Sequence, residues 1–279
     1  MNKLIITGNG FDLMHGLKTR YINFKEYLME NGESEIVSVI DENISVNKDP
    51  EWNCFEKSLG IDHSYSLEKI NSIYNAKSKI RELMRNWILS ININGLVPVL
   101  PLDLIGKENS YLTFNYTDTL KIYDVPESQI CHIHGKTKDT SKELIFGHEN
   151  STTNLLDVSG NNPYLHECEM KIAWSNLHTR KYVHHNIRQN KNFFESLTDI
   201  KQVVVLGHSL SEVDYPYFVE IQRDVPSVCD WYISYYDAKD KYNKQAEIRK
   251  LRLNNVQLFK MDNGINEEDV ERILSSQRT

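Results

Sequence analysis

Four apolar runs stand out along the chain: Leu4-Ile5-Ile6-Thr7, Tyr111-Leu112-Thr113-Phe114, Ile130-Cys131-His132-Ile133 and Val203-Val204-Val205-Leu206. Each gives way at once to a glycine or a polar residue. Unbroken aliphatic and β-branched runs of this length predict strands buried on both faces, as in a parallel sheet covered by helices. Trp231 to Tyr236 and Val256 to Phe259 add two further candidates. Between them the spacing changes. Leu67, Ile70, Tyr74, Ile80, Met84, Trp87, Ile88 and Ile91 keep a helical period. Residues 22–28, 36–44, 164–197, 239–253 and 267–275 read as helices too, and a short one runs from Asp12 to His15. Strands alternating with helices define an α/β fold with a mostly parallel sheet. The stretch from about 20 to 108 is too long for one crossover and reads as a large helical insertion, with a second at about 150–198. The expectation is one α/β domain over 1–279 carrying both.

Composition narrows the function classes. Of 279 residues, 40% are hydrophobic and 25% charged, the balance of a globular chain rather than a disordered one. The 32 Lys and Arg against 39 Asp and Glu give a net charge of −7, which speaks against a protein that coats nucleic acid. No apolar stretch is long enough to span a bilayer, and the run after Met1-Asn2-Lys3 is too short for a signal-peptide core. A cytoplasmic protein without a membrane partner is expected. Cys54, Cys131, Cys168 and Cys229 lie far apart, so reduced thiols fit better than a disulfide framework or a zinc knuckle. The segment 63–91 leaves homo-oligomerisation open.

Candidate chemistry gathers where strands end. Thr7-Gly8-Asn9-Gly10-Phe11-Asp12 directly follows the first strand. Two glycines permit positive φ and close backbone approach, and a helix start offers N–H groups to an anion. The third glycine of the dinucleotide fingerprint is absent, so a plain tight turn explains the motif equally well. Asn115, followed by Asp118, sits just past the second strand, where open α/β sheets place ligands. Its amide can hold a ribose hydroxyl or a water; capping a helix is the competing role. His132 and His134 share a strand face, but no further ligand set makes them a metal site. His134, beside Gly135, suits a general base near neutral pH, with a structural histidine as the alternative. After the fourth strand come Gly207, His208, Ser209 and, further on, Asp214. Ser211 stands where a nucleophile elbow needs glycine, so Ser209 is not read as a nucleophile. These strand ends converge on one pocket with nucleotide-like chemistry.

The blocks Gly8 to Phe24, Thr113 to Leu120, Ile130 to Lys136, Leu144 to His148 and Leu206 to Phe218, with Trp52-Asn53-Cys54-Phe55-Glu56, resemble the AbiH family of bacterial phage abortive-infection proteins. In the same order they are similar to a distant sirtuin-type NAD-binding domain, with its GAGxSxxxGIP turn, QNxD run, HG pair and GTSLxVxP run. Gly8, Gly10, Gly16 and Leu17 match the first, Asn115 the second, His134 and Gly135 the third, and Gly207, Ser209 and Leu210 the fourth. Asp12 replaces the serine of the first motif, the acid of the second is displaced by one to Asp118, and the paired-cysteine zinc module is missing.

The resemblance implies a Rossmann-like, sirtuin-like fold and the NAD-cleaving branch rather than protein deacylation. NAD+ or a related nucleotide would be a consumed substrate, with no recycled cofactor. Asn115 would position the ribose or the attacking water, and His134 would be the general base. Gly8, Asn9, Gly10, Phe11, Asp12, Asp118, Gly207, His208, Ser209 and Asp214 would line the substrate. A carboxylate at Asp12 would repel a pyrophosphate unless it points elsewhere. A phage-derived trigger or a partner protein would switch the activity. The alternative is a nucleotide-binding sensor without turnover that acts through a partner. A nuclease reading of Arg180, Lys181, His184, His185, Arg188 and Lys191 competes with a solvated helix face. Trp52 reads as a core anchor, and Glu56 as a candidate second carboxylate.

Overall fold

A computed structural model describes residues 3–43, 52, 55–59, 67–139, 144–148, 167, 170–171, 173–174, 179–262 and 264–275. Six strands form one sheet: β1 (Lys3–Thr7), β2 (Ser110–Thr113), β3 (Ile130–His132), β4 (Gln202–Leu206), β5 (Asp230–Tyr235) and β6 (Val256–Lys260). All pair in parallel, in the order β3-β2-β1-β4-β5-β6. This is the doubly wound Rossmann-like arrangement, and its strand order reverses between β1 and β4. In such folds ligands bind outside the C-terminal ends of the strands at this reversal.

Burial explains why these runs become strands. β1 and β4 sit mid-sheet with every residue buried, while the edge strands β3 and β6 are only partly covered. Alternate side chains point to opposite faces. Leu4, Ile6, Val203, Val205, Trp231 and Ile233 enter one core, joined by Phe194, Tyr217 and Phe218. Ile5, Val204, Leu206 and Tyr232 enter the other, with Phe11, Leu104, Tyr123 and Ile273. A helix absent from the periods above, Tyr215–Asp224, covers the first face through Tyr217, Phe218 and Ile221. Pro216 in its first turn fits there because the missing N–H has no intrahelical partner to lose.

The chain divides into two compact units. The sheet unit comprises 1–18, 91–142 and 183–279, and the second comprises 19–90 and 143–182. The latter contains the helices Tyr21–Glu30, Ser34–Asn43, Phe55–Ser58 and Leu67–Ser90 and an isolated bridge between His148 and Arg180. Trp52 is fully buried there. It stacks on Phe55 at 5.0 Å, and its indole N–H donates to Asp41 at 2.9 Å. Glu56 accepts from the Tyr21 hydroxyl and from the Gly147 N–H, so it belongs to this unit's own polar core. Cys131 and Cys229 are free thiols; Cys54 and Cys168 lie outside the described residues. Among the described residues no helix is long and apolar enough to cross a membrane.

Candidate functional site

The glycine bend after β1 and the loop after β4 lock into each other. A Cβ on Gly8 would lie 2.6 Å from His208 Cα, and one on Gly10 would lie 2.7 Å from Gly207 Cα. Gly207 adopts φ +66°, which favours glycine, and a Cβ there would lie 2.3 Å from Phe11 N. The Gly8 N–H donates to Leu206 O at 3.0 Å, that of Gly10 to Gly207 O at 2.8 Å, and that of Phe11 to Gly8 O at 2.9 Å. The glycines thus admit a second loop of the same chain, and these three amides are spent inside the protein. Phe11 is wholly buried against His15 and Tyr123. Asn9 and Ser209 are exposed on the bend, whereas the Gly207 backbone is engaged by the Gly10 N–H and by Ser234 Oγ.

Beneath the bend the carboxylate of Asp12 turns inward, 2% exposed. Its Oδ2 accepts from the Thr117 hydroxyl at 2.6 Å, while Oδ1 has no donor among the described residues. Burial pushes the carboxyl up to about 6, against the opposing pull of Thr117, Thr119 and Asn115. The loop after β2 is anchored to the same bend. The Thr7 and Thr113 hydroxyls pair at 2.8 Å, the Asn115 N–H donates to Thr113 Oγ1 at 3.1 Å, and the Asn115 amide donates to Gly8 O at 3.0 Å.

His134 follows β3 in a turn closed by Gly135 at φ +84°. Its Nδ1 lies 3.2 Å from Phe114 O, the carbonyl just before Asn115. Its Nε2 lies 3.7 Å from Asp214 Oδ1. The other oxygen of Asp214 lies 3.4 Å from His208 Nε2. One carboxylate thus faces two imidazoles, and all three side chains are nearly buried. The Phe114 ring, part of the core, packs on both imidazoles, 5.1 Å from His134 and 4.2 Å from His208. Buried polar groups are costly unless they serve one another, so such a concentration at a strand-order reversal makes this cluster the candidate functional centre.

Asp118 lies apart from this cluster and is tied to lysines. Burial works against its ionisation, but hydrogen bonds from Lys121 and Lys138 and the charges of Lys121 and Lys136 outweigh it and hold the carboxyl low. His132, at the end of β3, is driven down to about 4 by burial and by Lys136, so it is neutral at physiological pH. Among the described residues no three His, Cys, Asp or Glu side chains are placed to hold a metal ion. Thr117, whose hydroxyl fixes Asp12, was not among the expected site residues. Its signal in the sequence was only its place two residues after Asn115.

Fold and site together define a Rossmann-like α/β protein with a buried carboxamide, carboxylate and imidazole cluster at its strand-order reversal. The sequence matches the family model for bacteriophage abortive infection AbiH over residues 4–77 and 61–235. The protein belongs to the AbiH family, and its role lies in phage abortive infection. No curated protein matches it.

Proposed function

We propose that the protein hydrolyses NAD+ at the nicotinamide N-glycosidic bond. The observation that carries this reading is the anchoring of Asn115 and His134 at adjacent strand ends, one through Gly8 O and the other beside Phe114 O with Asp214 behind it. The leaving group is a cation. The C1′–N bond breaks with its electron pair going to the ring nitrogen, and nicotinamide departs neutral without an acid. Asn115 holds the ribose or the attacking water against the oxocarbenium-like carbon. The water oxygen bonds to C1′ and gives its proton to His134; Asp214 stabilises the imidazolium that results, and the proton then leaves to solvent. The products are nicotinamide and ADP-ribose. NAD+ is consumed, so no recycled cofactor is involved. The exposed Asn9 and Ser209 are the groups left to meet the phosphates. Inward-turned Asp12 does not oppose them, which removes the repulsion expected from the sequence.

Asn115, His134, Asp214 and His208 are each at most 7% exposed. That closure fits a site opened by a phage-derived trigger or a partner protein. It also favours the second reading, a nucleotide sensor without turnover. Pure protein incubated with NAD+, with and without extract of phage-infected cells, separates the two. Nicotinamide release that His134→Ala abolishes is the expected result. No release under any trigger, or equal release by the variant, contradicts the hydrolase. Tight NAD+ binding without product makes the protein a sensor.

A further inference from the structure

The loop after β4 contains a histidine that the reaction above does not use. His208 Nδ1 receives the Leu210 N–H at 2.9 Å. A backbone N–H can be accepted only by an unprotonated ring nitrogen, so the single proton of His208 sits on Nε2. That nitrogen is the one 3.4 Å from Asp214 Oδ2.

Several unusual features hold this arrangement. Leu210 takes φ +59°, a left-handed backbone that disfavours a residue with Cβ. Lys244, 3% exposed, donates its ammonium to the His208 carbonyl, although burial drives its pKa below the ordinary lysine value. Asp240 lies beside that ammonium at 3.5 Å. Phe114 and Phe218 pack on the imidazole at 4.2 and 5.1 Å. A buried lysine and a strained leucine are an expensive way to pin a loop. They are explained if the ring must present one particular nitrogen. Topology sets the span to be bridged: Asp214 follows β4 and His134 follows β3, with β1 and β2 between them. Strand spacing sets those two strands about 14 Å apart.

We propose that His208 is a positioning residue: a neutral imidazole protonated on Nε2 that fixes the Asp214 carboxylate beside His134 Nε2, where it stabilises the proton that His134 takes up. The proposal rests on the hydrolase reading for its consequence in turnover but not for its geometry.

Two substitutions separate positioning from loop support. His208→Asn keeps an acceptor for the Leu210 N–H and leaves nothing at the Nε2 position. His208→Gln places an amide N–H near that position and leaves the Leu210 N–H unserved. The expected result is that His208→Asn lowers kcat about 10- to 100-fold with KM little changed, while His208→Gln restores most of the loss. Nitrogen NMR of the imidazoles at neutral pH gives a readout independent of turnover. Wild type shows His208 as the Nε2–H tautomer, and the His134 signal moves in His208→Asn but not in His208→Gln. An Nδ1–H tautomer, an unmoved His134 signal in both variants, or equal kcat in both overturns the proposal. If wild type releases no nicotinamide, the hydrolase reading falls and the spectra alone decide this one.

Discussion

The two halves of the sheet end differently. Past β5 and β6 the polar residues do ordinary work, except the buried Lys244, which reaches back to the His208 carbonyl. Asp237 caps the helix Ala238–Leu251 by accepting from the Asp240 N–H, Lys260 pairs with Asp262 in solvent, and Tyr236 is exposed. Past β1 to β4 a set of polar residues is buried and engages across loops: Thr7 with Thr113, Asn115 with Gly8, Asp12 with Thr117, and Asp214 with two histidines. Even Ser234, at the end of β5, turns toward that side, its hydroxyl accepting the Gly207 N–H at 2.8 Å. The backbone arrangement is the same in both halves. What differs is that one half bears the desolvation of polar groups that stability alone does not require.

That contrast can be broken by substitution. Asp214→Asn removes the charge facing both imidazoles, and activity is expected to fall roughly 10²- to 10⁴-fold, as when a triad carboxylate becomes an amide. Steady-state nicotinamide release under the activating condition measures it. Asp12→Asn acts on stability instead. The folded carboxyl titrates at about 6 against 3.8 for an ordinary one, so the folded state binds the proton more tightly. Wild-type stability therefore falls as pH rises through that window, and the full penalty of about 2–3 kcal/mol stands above it. Urea unfolding should find the asparagine variant more stable at pH 8, with the difference vanishing below about pH 4. A variant no more stable at pH 8 would mean that Asp12 is not strained by burial.

Gly10→Ala forces a Cβ against the Gly207 backbone and is expected to cost about 1–3 kcal/mol, read from the thermal midpoint. On the other half, Asp237→Ala loses one helix cap, about 1 kcal/mol, and leaves turnover untouched. A comparable loss of turnover from that side would erase the distinction between the halves.

Much of the fold was legible because parallel strands buried on both faces must be apolar throughout. Val203-Val204-Val205-Leu206 is such a run, and it became a fully buried central strand. The helix Tyr215–Asp224 was hidden because its first residues continue a polar motif and its buried set, Tyr217, Phe218 and Ile221, is short. The meaning of the glycines was half legible. Gly8, Gly10 and Gly207 do permit close approach, but what approaches is another loop, a fact of strand order that no local pattern carries. The same limit hid the pairing of His134 with Asp214, since they are 80 positions apart and join only because the loop after β4 reaches back across β1 and β2.

The most direct test of the central claim is a crystal structure of the protein with ADP-ribose. The account predicts the ribose anomeric carbon outside the C-terminal ends of β1 and β4, with Asn115 and His134 positioned so that a water at either would be about 3–3.5 Å from that carbon. A nucleotide bound away from these two residues, with that place still filled by protein, would contradict it.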